Sequence, residues 1–309
     1  MADATERLND RGREPLGLAA VGGRDDTRGL VFGLLGVLAF SFTLPATRIA
    51  APALGGVVVG LGRAEIAALL AAVLLLIRRE LPPPRRCWPG LAIVAGGVVV
   101  GFPLLTSFAL RQVPAAHGAV VVGLLPAATA IMAVVRAGER PSPSFWGASA
   151  AGVGAVLVFA AAQGAGTPQP ADLLLLAAVA LAGLGYAEGG RLARELGGWR
   201  VICWALVLAA PFLLPPAAIA VARGGVAGDG RAWAAFAYVS VVSMFLGFFA
   251  WYRGLALGGI ARVGQVQLIQ PVLTLAWAVL LLGETVDLPT LMAALLVVAT
   301  VALGRRARA

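Results

Sequence analysis

Long apolar runs separated by short polar gaps dominate this chain and restrict it to the membrane. A helix needs about 20 apolar residues to cross roughly 30 Å of hydrocarbon at about 1.5 Å per residue. By that ruler ten segments qualify: residues 29–49, 56–77, 89–110, 114–135, 144–162, 171–190, 200–221, 233–252, 260–282 and 286–304. Three are interrupted: the second by Arg63 and Glu65, the sixth by Glu188, and the seventh by Pro211 and Pro215-Pro216. Most gaps are short and carry Pro, Gly or Arg, which favours a compact bundle with antiparallel neighbours. A hydrophobic content of 60% and a mean hydropathy of +0.90 exceed what one soluble core can absorb. The expected fold is an all-α membrane protein with the lipid bilayer as its partner.

The charges decide orientation and exclude several functions. All 24 basic residues are Arg. They sit in gaps too short to build a basic groove, so nucleic acid is not an expected partner despite the pI of 11.2. Short cytoplasmic loops retain basic residues during insertion. With the N-terminus inside, 19 Arg fall on the cytoplasmic side and four on the outer side, with Arg63 within a span. Both termini are therefore expected in the cytoplasm of a bacterial inner-membrane protein. Residues 1–28 mix both charge signs with Gly and Pro, lack an apolar core of signal-peptide length, and read as a disordered cytoplasmic tail. Cys87, Cys203 and the single histidine, His117, form neither a disulfide framework nor a zinc ligand set. No metal or cofactor is expected, and no catalytic constellation marks an enzyme. Without Lys no Walker-type phosphate loop exists, so this chain alone cannot drive transport with ATP.

A repeat organises the spans. Residues 116–139 shifted by 145 positions match eight residues of 24, among them Pro126/Pro271, Thr129/Thr274, Gly138/Gly283 and Glu139/Glu284. A weaker echo aligns residues 38–50 with 181–193 at a spacing of 143 and pairs Arg48 with Arg191. The chain divides into halves of five spans, residues 29–162 and 171–304. Five is odd, so the second half enters the membrane inverted. The Arg count independently places Glu139 and Glu284 on opposite sides. Inverted repeats are a signature of secondary transporters, whose equivalent halves exchange inward-open and outward-open shapes around a midplane site.

Each half carries an internal Pro, a terminal Gly-Glu and then a fifth helix, PSPSFWGASAAGVGAVLVF and DLPTLMAALLVVATVAL. That pattern resembles the EamA domains of the drug/metabolite transporter superfamily over about residues 29–304. The resemblance implies ten helices around a central cavity. It also implies export of small metabolites, amino acids or drugs by alternating access, often in exchange for protons, by a monomer or homodimer. Arg136-Ala137 before the first Gly-Glu departs from the pattern, which has two apolar residues there. A non-transporting subunit or channel is the alternative.

Candidate residues follow from polarity in the spans. Gly138 and Gly283 fit helix C-termini, and Glu139 and Glu284 can place charge at the N-terminal turn of the helix that follows. Glu65 and Glu188 are carboxylates in apolar helix, which usually face a cavity or a partner. Glu65 is read as a coupling or substrate residue, as a member of a local ion pair, or as an interfacial site where it and Arg63 reach water by snorkelling. Glu188 is read as a coupling residue or as the partner of Arg191, three positions on. Gln267 and Gln270 share a helix face and either bond another helix or line the cavity, where amides can read donors and acceptors of a solute. Pro271 frees the Gln267 carbonyl. Trp251 and Tyr252 close the eighth span as interface anchors or as substrate-stacking groups. His117 is an interfacial or a titrating coupling residue. Thr43 and Tyr186 offer hydroxyls to a pathway, with Pro45 and Pro126 as kinks beside it.

Overall fold

The computed structural model describes residues 18–143, 169–224 and 227–289, with isolated positions across 146–154 and 291–299. Among the described residues the chain is helical, without strands. Eight helical stretches are long and apolar enough to cross a membrane: Asp26–Leu54, Val58–Ile77, Arg85–Ala109, Ala115–Ala137, Pro170–Leu196, Gly198–Gly224, Gly230–Gly258 and Ile260–Leu282. These are the first four and the sixth to ninth spans. The fifth and tenth expected spans lie largely outside the described residues.

Three boundaries differ from expectation. Helix begins at Leu18, so residues 18–28, expected in a disordered tail, are helical, and Asp26 pairs with Arg262; residues 1–17 lie outside the described residues. The eighth span continues past Tyr252 to Gly258. Arg253 ends the apolar run without ending the helix, because its guanidinium lies over the Phe32 ring at 5.0 Å. The seventh span passes through Pro211, Pro215 and Pro216 as one helix. Phe212 and Leu214 beside these prolines are exposed, as on a lipid-facing surface, and membrane helices tolerate proline better than soluble ones.

Glycine sets how closely the helices approach. The first and eighth spans pack antiparallel: a Cβ on Gly29 would lie 2.6 Å from the Gly258 Cα, and one on Gly254 would lie 2.7 Å from the Gly33 nitrogen. The third and sixth repeat the arrangement, since a Cβ on Gly97 would lie 3.2 Å from the Gly185 Cα. Such backbone contact is how helices associate where lipid offers no hydrophobic driving force. The fourth and sixth spans run parallel, with contacts from His117–Asp172 at one end to Arg136–Glu188 at the other. The fourth therefore ends and the sixth begins on opposite sides of the bundle.

Several spans are locally irregular where the cavity described below forms. The first helix breaks at Phe42, between Leu18–Ser41 and Thr43–Leu54. Pro45 has no N–H for the Ser41 carbonyl. That carbonyl accepts instead from Thr274 Oγ1 of the ninth span, at 2.7 Å. The third and eighth spans carry π-helical segments, Ala95–Gly101 and Tyr238–Leu246, at repeat-equivalent places. The ninth tightens into a 3-10 turn at Gln265–Ile269 before Pro271, and the Gln267 carbonyl expected to be free accepts from the Gln270 N–H.

The two Gly-Glu pairs join the repeats. Gly138 and Gly283 take left-handed conformations, φ 66° and 65°. The N–H groups of Gly138 and Glu139 return to the Val134 and Ala133 carbonyls, and those of Gly283 and Glu284 to the Val279 and Ala278 carbonyls, all at 3.2 Å. This wrap satisfies carbonyls that a helix end leaves open. Each carboxylate caps a helix other than the one that follows it in sequence; the following helices lie largely outside the described residues. Glu139 accepts from the Ile260 and Ala261 N–H groups at 2.9 and 2.8 Å, and Glu284 accepts from those of Ala115 and Ala116, both at 3.0 Å. The capped helices belong to the opposite repeat, because the fourth and ninth spans lie side by side and antiparallel.

Each carboxylate replaces water for two open N–H donors and adds charge at the positive end of a helix. A hydrogen bond to a charged group contributes about 1.5–3 kcal/mol. Glu139→Gln and Glu284→Gln, which offer one amide oxygen in place of two carboxylate oxygens, should each lower the melting temperature of purified protein. Glu139→Gln should lower it more, since Glu139 also holds Arg194 at 2.6 Å. Unchanged melting for both would contradict the capping role. Gly254→Ala should destabilise by about 1–3 kcal/mol through overpacking, whereas Gly96→Ala, with open space around its added methyl, should not; equal effects would contradict the packing described.

Candidate functional site

The local breaks converge on a cavity near the middle of the bundle. Its walls are Phe40, Thr43 and Leu44 of the first span, Arg63 of the second, and Val98, Phe102 and Pro103 of the third. Tyr186 of the sixth, Ser243, Met244 and Phe248 of the eighth, and Gln270 of the ninth complete it. Both halves contribute, and most of these positions lie close to the midpoints of their spans. Free space is about 20 Å³, room for a water or two. Wider open grooves lie at the two ends. One, about 660 Å³, is lined by Arg78, Glu80, Arg200 and Arg253 among others; the other, about 630 Å³, includes Arg48, Asp229, Arg231 and Glu284.

Thr43, Tyr186 and Gln270 of the sequence candidates meet in this cavity. Thr43 Oγ1 and Ser243 Oγ lie 2.7 Å apart and tie the broken first span to the π-helical part of the eighth. Gln270 has Gln267 behind it. Gln267 Nε2 donates to Gln270 Oε1 at 3.5 Å, while the buried Gln267 Oε1 has no hydrogen-bond partner among the described residues. Gln267 lines an adjoining crevice with Leu44, Pro271 and Thr274.

Trp251 and Tyr252 neither anchor an interface nor line the cavity. Both are fully buried, because the helix carries them inward of its Gly258 end. Trp251 packs on Tyr186 and Phe40 with ring centroids 5.3 and 6.0 Å apart, and Phe248 sits 4.9 Å from Phe40. The Tyr252 hydroxyl donates to the Gly185 carbonyl at 3.2 Å. These rings form a layer between the cavity and the Glu139 end of the bundle.

Ion pairs reinforce that end. Glu188 is buried between Arg136, at 3.0 Å, and Arg191, at 2.5 Å. The Arg191 partner is the one spacing suggested; Arg136, the residue that broke the repeat pattern, is the second. Arg86 pairs with Glu195, and Arg200 meets Glu80 at 2.7 Å. The Arg200 hydrogen bond holds the Glu80 carboxyl below its ordinary range. This pair's contribution to stability is therefore present above pH about 4.5 and fades as pH falls through the lowered value. At the opposite end, His117 Nε2 lies 2.6 Å from Asp172 Oδ1, joining the fourth and sixth spans.

Arg63 is the residue that sequence reasoning misplaced. Snorkelling to water is one alternative its place in the sequence offers, yet it is 1% exposed and lines the cavity. Its Nε and Nη1 are buried without a hydrogen-bond partner among the described residues. A guanidinium stays charged in proteins, and on insertion scales such a charge at the centre of a membrane helix costs at least ~2.5–3.5 kcal/mol. The available signal was a lone cation in an apolar run; its nearness to the end of the second span disguised it. Glu65, two positions on, points elsewhere: it is half-buried, lies outside the cavity wall, and has a buried Oε1 without a partner among the described residues.

Comparison with known proteins agrees with this architecture. The sequence matches the EamA-like transporter family twice, over residues 27–161 and 169–304. It is 48% identical over 280 residues to a Bacillus subtilis (strain 168) protein named "Uncharacterized transporter YdeK", covering 91% of this chain and 98% of the relative. It is 26% identical over 256 residues to a Streptantibioticus cattleyicolor protein named "Probable terminal-alkyne amino-acid exporter", covering 81% and 84%. A solved crystal structure shares the fold with a TM-score of 0.67 at 20% identity, covering 90% of this chain and 98% of that one. Two family matches, eight helices among the described residues long and apolar enough to cross a membrane, and a cavity built from both halves describe a multi-pass membrane protein, and the chain belongs to the EamA-like transporter family.

Proposed function

We propose that this chain is a secondary transporter of ten spans in two inverted repeats, 29–162 and 171–304, exporting a small metabolite by alternating access. The observation that carries the proposal is the mid-depth cavity: both repeats wall it, and polar groups from several spans converge there. The Thr43–Ser243 contact holds two spans together, but Arg63 and Gln270 in the same wall are polar groups of the kind that mark a solute pathway at that depth. The Arg distribution supports cytoplasmic termini, which puts Glu139 on the cytoplasmic side and the aromatic layer between cavity and cytoplasm. In that orientation the structure is a state closed toward the cytoplasm. An exporter-named relative supports the direction of transport.

Gln270, Tyr186 and Thr43 contact the solute in this reading, with Gln267 orienting Gln270 from behind. Trp251 and Tyr252 act as the cytoplasmic gate beneath it. Protons are the exchanged ion. Among Glu65, Glu188 and His117, Glu65 is the favoured carrier, since Glu188 is neutralised by two Arg and His117 is engaged with Asp172. The described cavity wall comes from one chain, which is compatible with a monomer or a homodimer.

Cells expressing the protein should enrich at least one small metabolite in the medium relative to cells without it, measured by untargeted mass spectrometry. For that solute, Gln270→Ala should reduce flux in proteoliposomes at least tenfold while leaving the protein monodisperse, and Glu65→Gln should remove the response to a pH gradient. Unchanged extracellular metabolites would contradict export, and flux indifferent to the pH gradient in the unaltered protein would contradict proton coupling.

A further inference from the structure

Resting on the reading of the mid-depth cavity as the solute site, we infer that Arg63 is a carboxylate-binding residue and that the solute is a small organic monocarboxylate with an apolar body. The first ground is the missing counter-ion. Where the chain buries Glu188 for structure, it supplies two Arg. Arg63 is as deeply buried and receives none among the described residues. Two of its nitrogens have no partner among them, and it is the one charged residue among those that line the cavity. Glu65 cannot supply the charge from two positions away on the same helix, where side chains diverge.

The second ground is shape and chemistry. A guanidinium presents parallel N–H donors that match both oxygens of a carboxylate. One guanidinium balances one negative charge, which suits a monocarboxylate better than a doubly charged phosphate ester. The Thr43 and Ser243 hydroxyls provide further polar contacts. Apart from Tyr186 and Gln270 the rest of the wall is apolar, with Leu44, Phe102, Met244 and Phe248 among its residues, so the body attached to the carboxylate is mainly aliphatic or aromatic. The present cavity is nearly collapsed; a state that widens it presents Arg63 to the solute, and the arriving carboxylate removes the cost of the lone charge.

Calorimetric titration of the purified full-length protein tests this with matched probes. These are leucine, phenylalanine, 4-methylpentanoate and 3-phenylpropanoate against leucinamide, phenylalaninamide, 4-methylpentanamide and 3-phenylpropanamide, with chloride as a simple anion. At least one carboxylate should bind ten or more times tighter than its amide. Arg63→Gln should lose that preference, and Arg63→Lys, which keeps charge without the fork, should fall between. Amides binding within twofold of carboxylates, failure of all four carboxylates, equal binding of chloride, or a folded Arg63→Gln with unchanged affinity would each overturn the inference. If Arg63→Gln does not fold, the carboxylate–amide comparison on the unaltered protein decides alone. Preference for leucine over 4-methylpentanoate would show that the ammonium is read as well, and equality that it is not; both leave the carboxylate assignment standing. Binding without flux in proteoliposomes would remove the transport reading and leave Arg63 assigned, whereas flux of a solute lacking a carboxylate would do the reverse.

Discussion

Backbone groups in hydrocarbon must find partners inside the protein, and this chain meets that demand across its own repeat boundary. The opening N–H groups of the fourth and ninth spans have no partner within their helices, and carboxylates from the opposite half supply them. The same logic operates where the first span breaks: the Ser41 carbonyl is satisfied by Thr274, again from the other half. At these places an opening in one repeat is thus secured by the other. Removing a partner would leave an unpaired polar group in a medium without water, which is why short polar punctuation can organise so apolar a sequence.

These constraints divide the bundle into parts. The fourth and ninth spans are stapled to each other at both ends and read as a fixed pair. Around them, glycine contacts between the first and eighth spans and between the third and sixth allow close backbone approach without interlocking side chains. The cavity sits among these elements, with π-helical segments of the third and eighth spans in its wall, a feature frequent at functional sites. In the alternating-access proposal, the aromatic layer and the ion pairs around Glu188 form the closed side. Every one of those ion pairs involves an exposed or partly exposed Arg, so water can take over its partner when the gate parts.

What the sequence disclosed depended on whether the physics was local. The conformations of Gly138 and Gly283 and the breaks before Pro126 and Pro271 are dictated by neighbouring residues, and the repeat doubled that signal. The partners of Glu139 and Glu284 lie 121 and 169 residues away, so the reading from nearest neighbours chose the following helix instead. Depth was the other blind spot. Arg63 is only five positions into its span, yet its neighbours come from five other spans and seal it from water. Tyr252 looked terminal because hydropathy drops at Arg253, but the Phe32 ring lets that Arg stay in the helix and leaves Trp251 and Tyr252 in the core. Arg136 looked like a flaw in the repeat until Glu188, fifty-two residues on, appeared as its partner.

The central claim is that one mid-depth cavity faces each side of the membrane in turn. The most direct measurement replaces Cys87 and Cys203 with Ala, introduces Thr43→Cys in the cavity wall, and follows its reaction with a membrane-impermeant maleimide in right-side-out and inside-out vesicles. Alternating access predicts labelling from both sides, with each rate reduced by the transported solute. Labelling from one side only, or from both sides with no effect of solute, would contradict it.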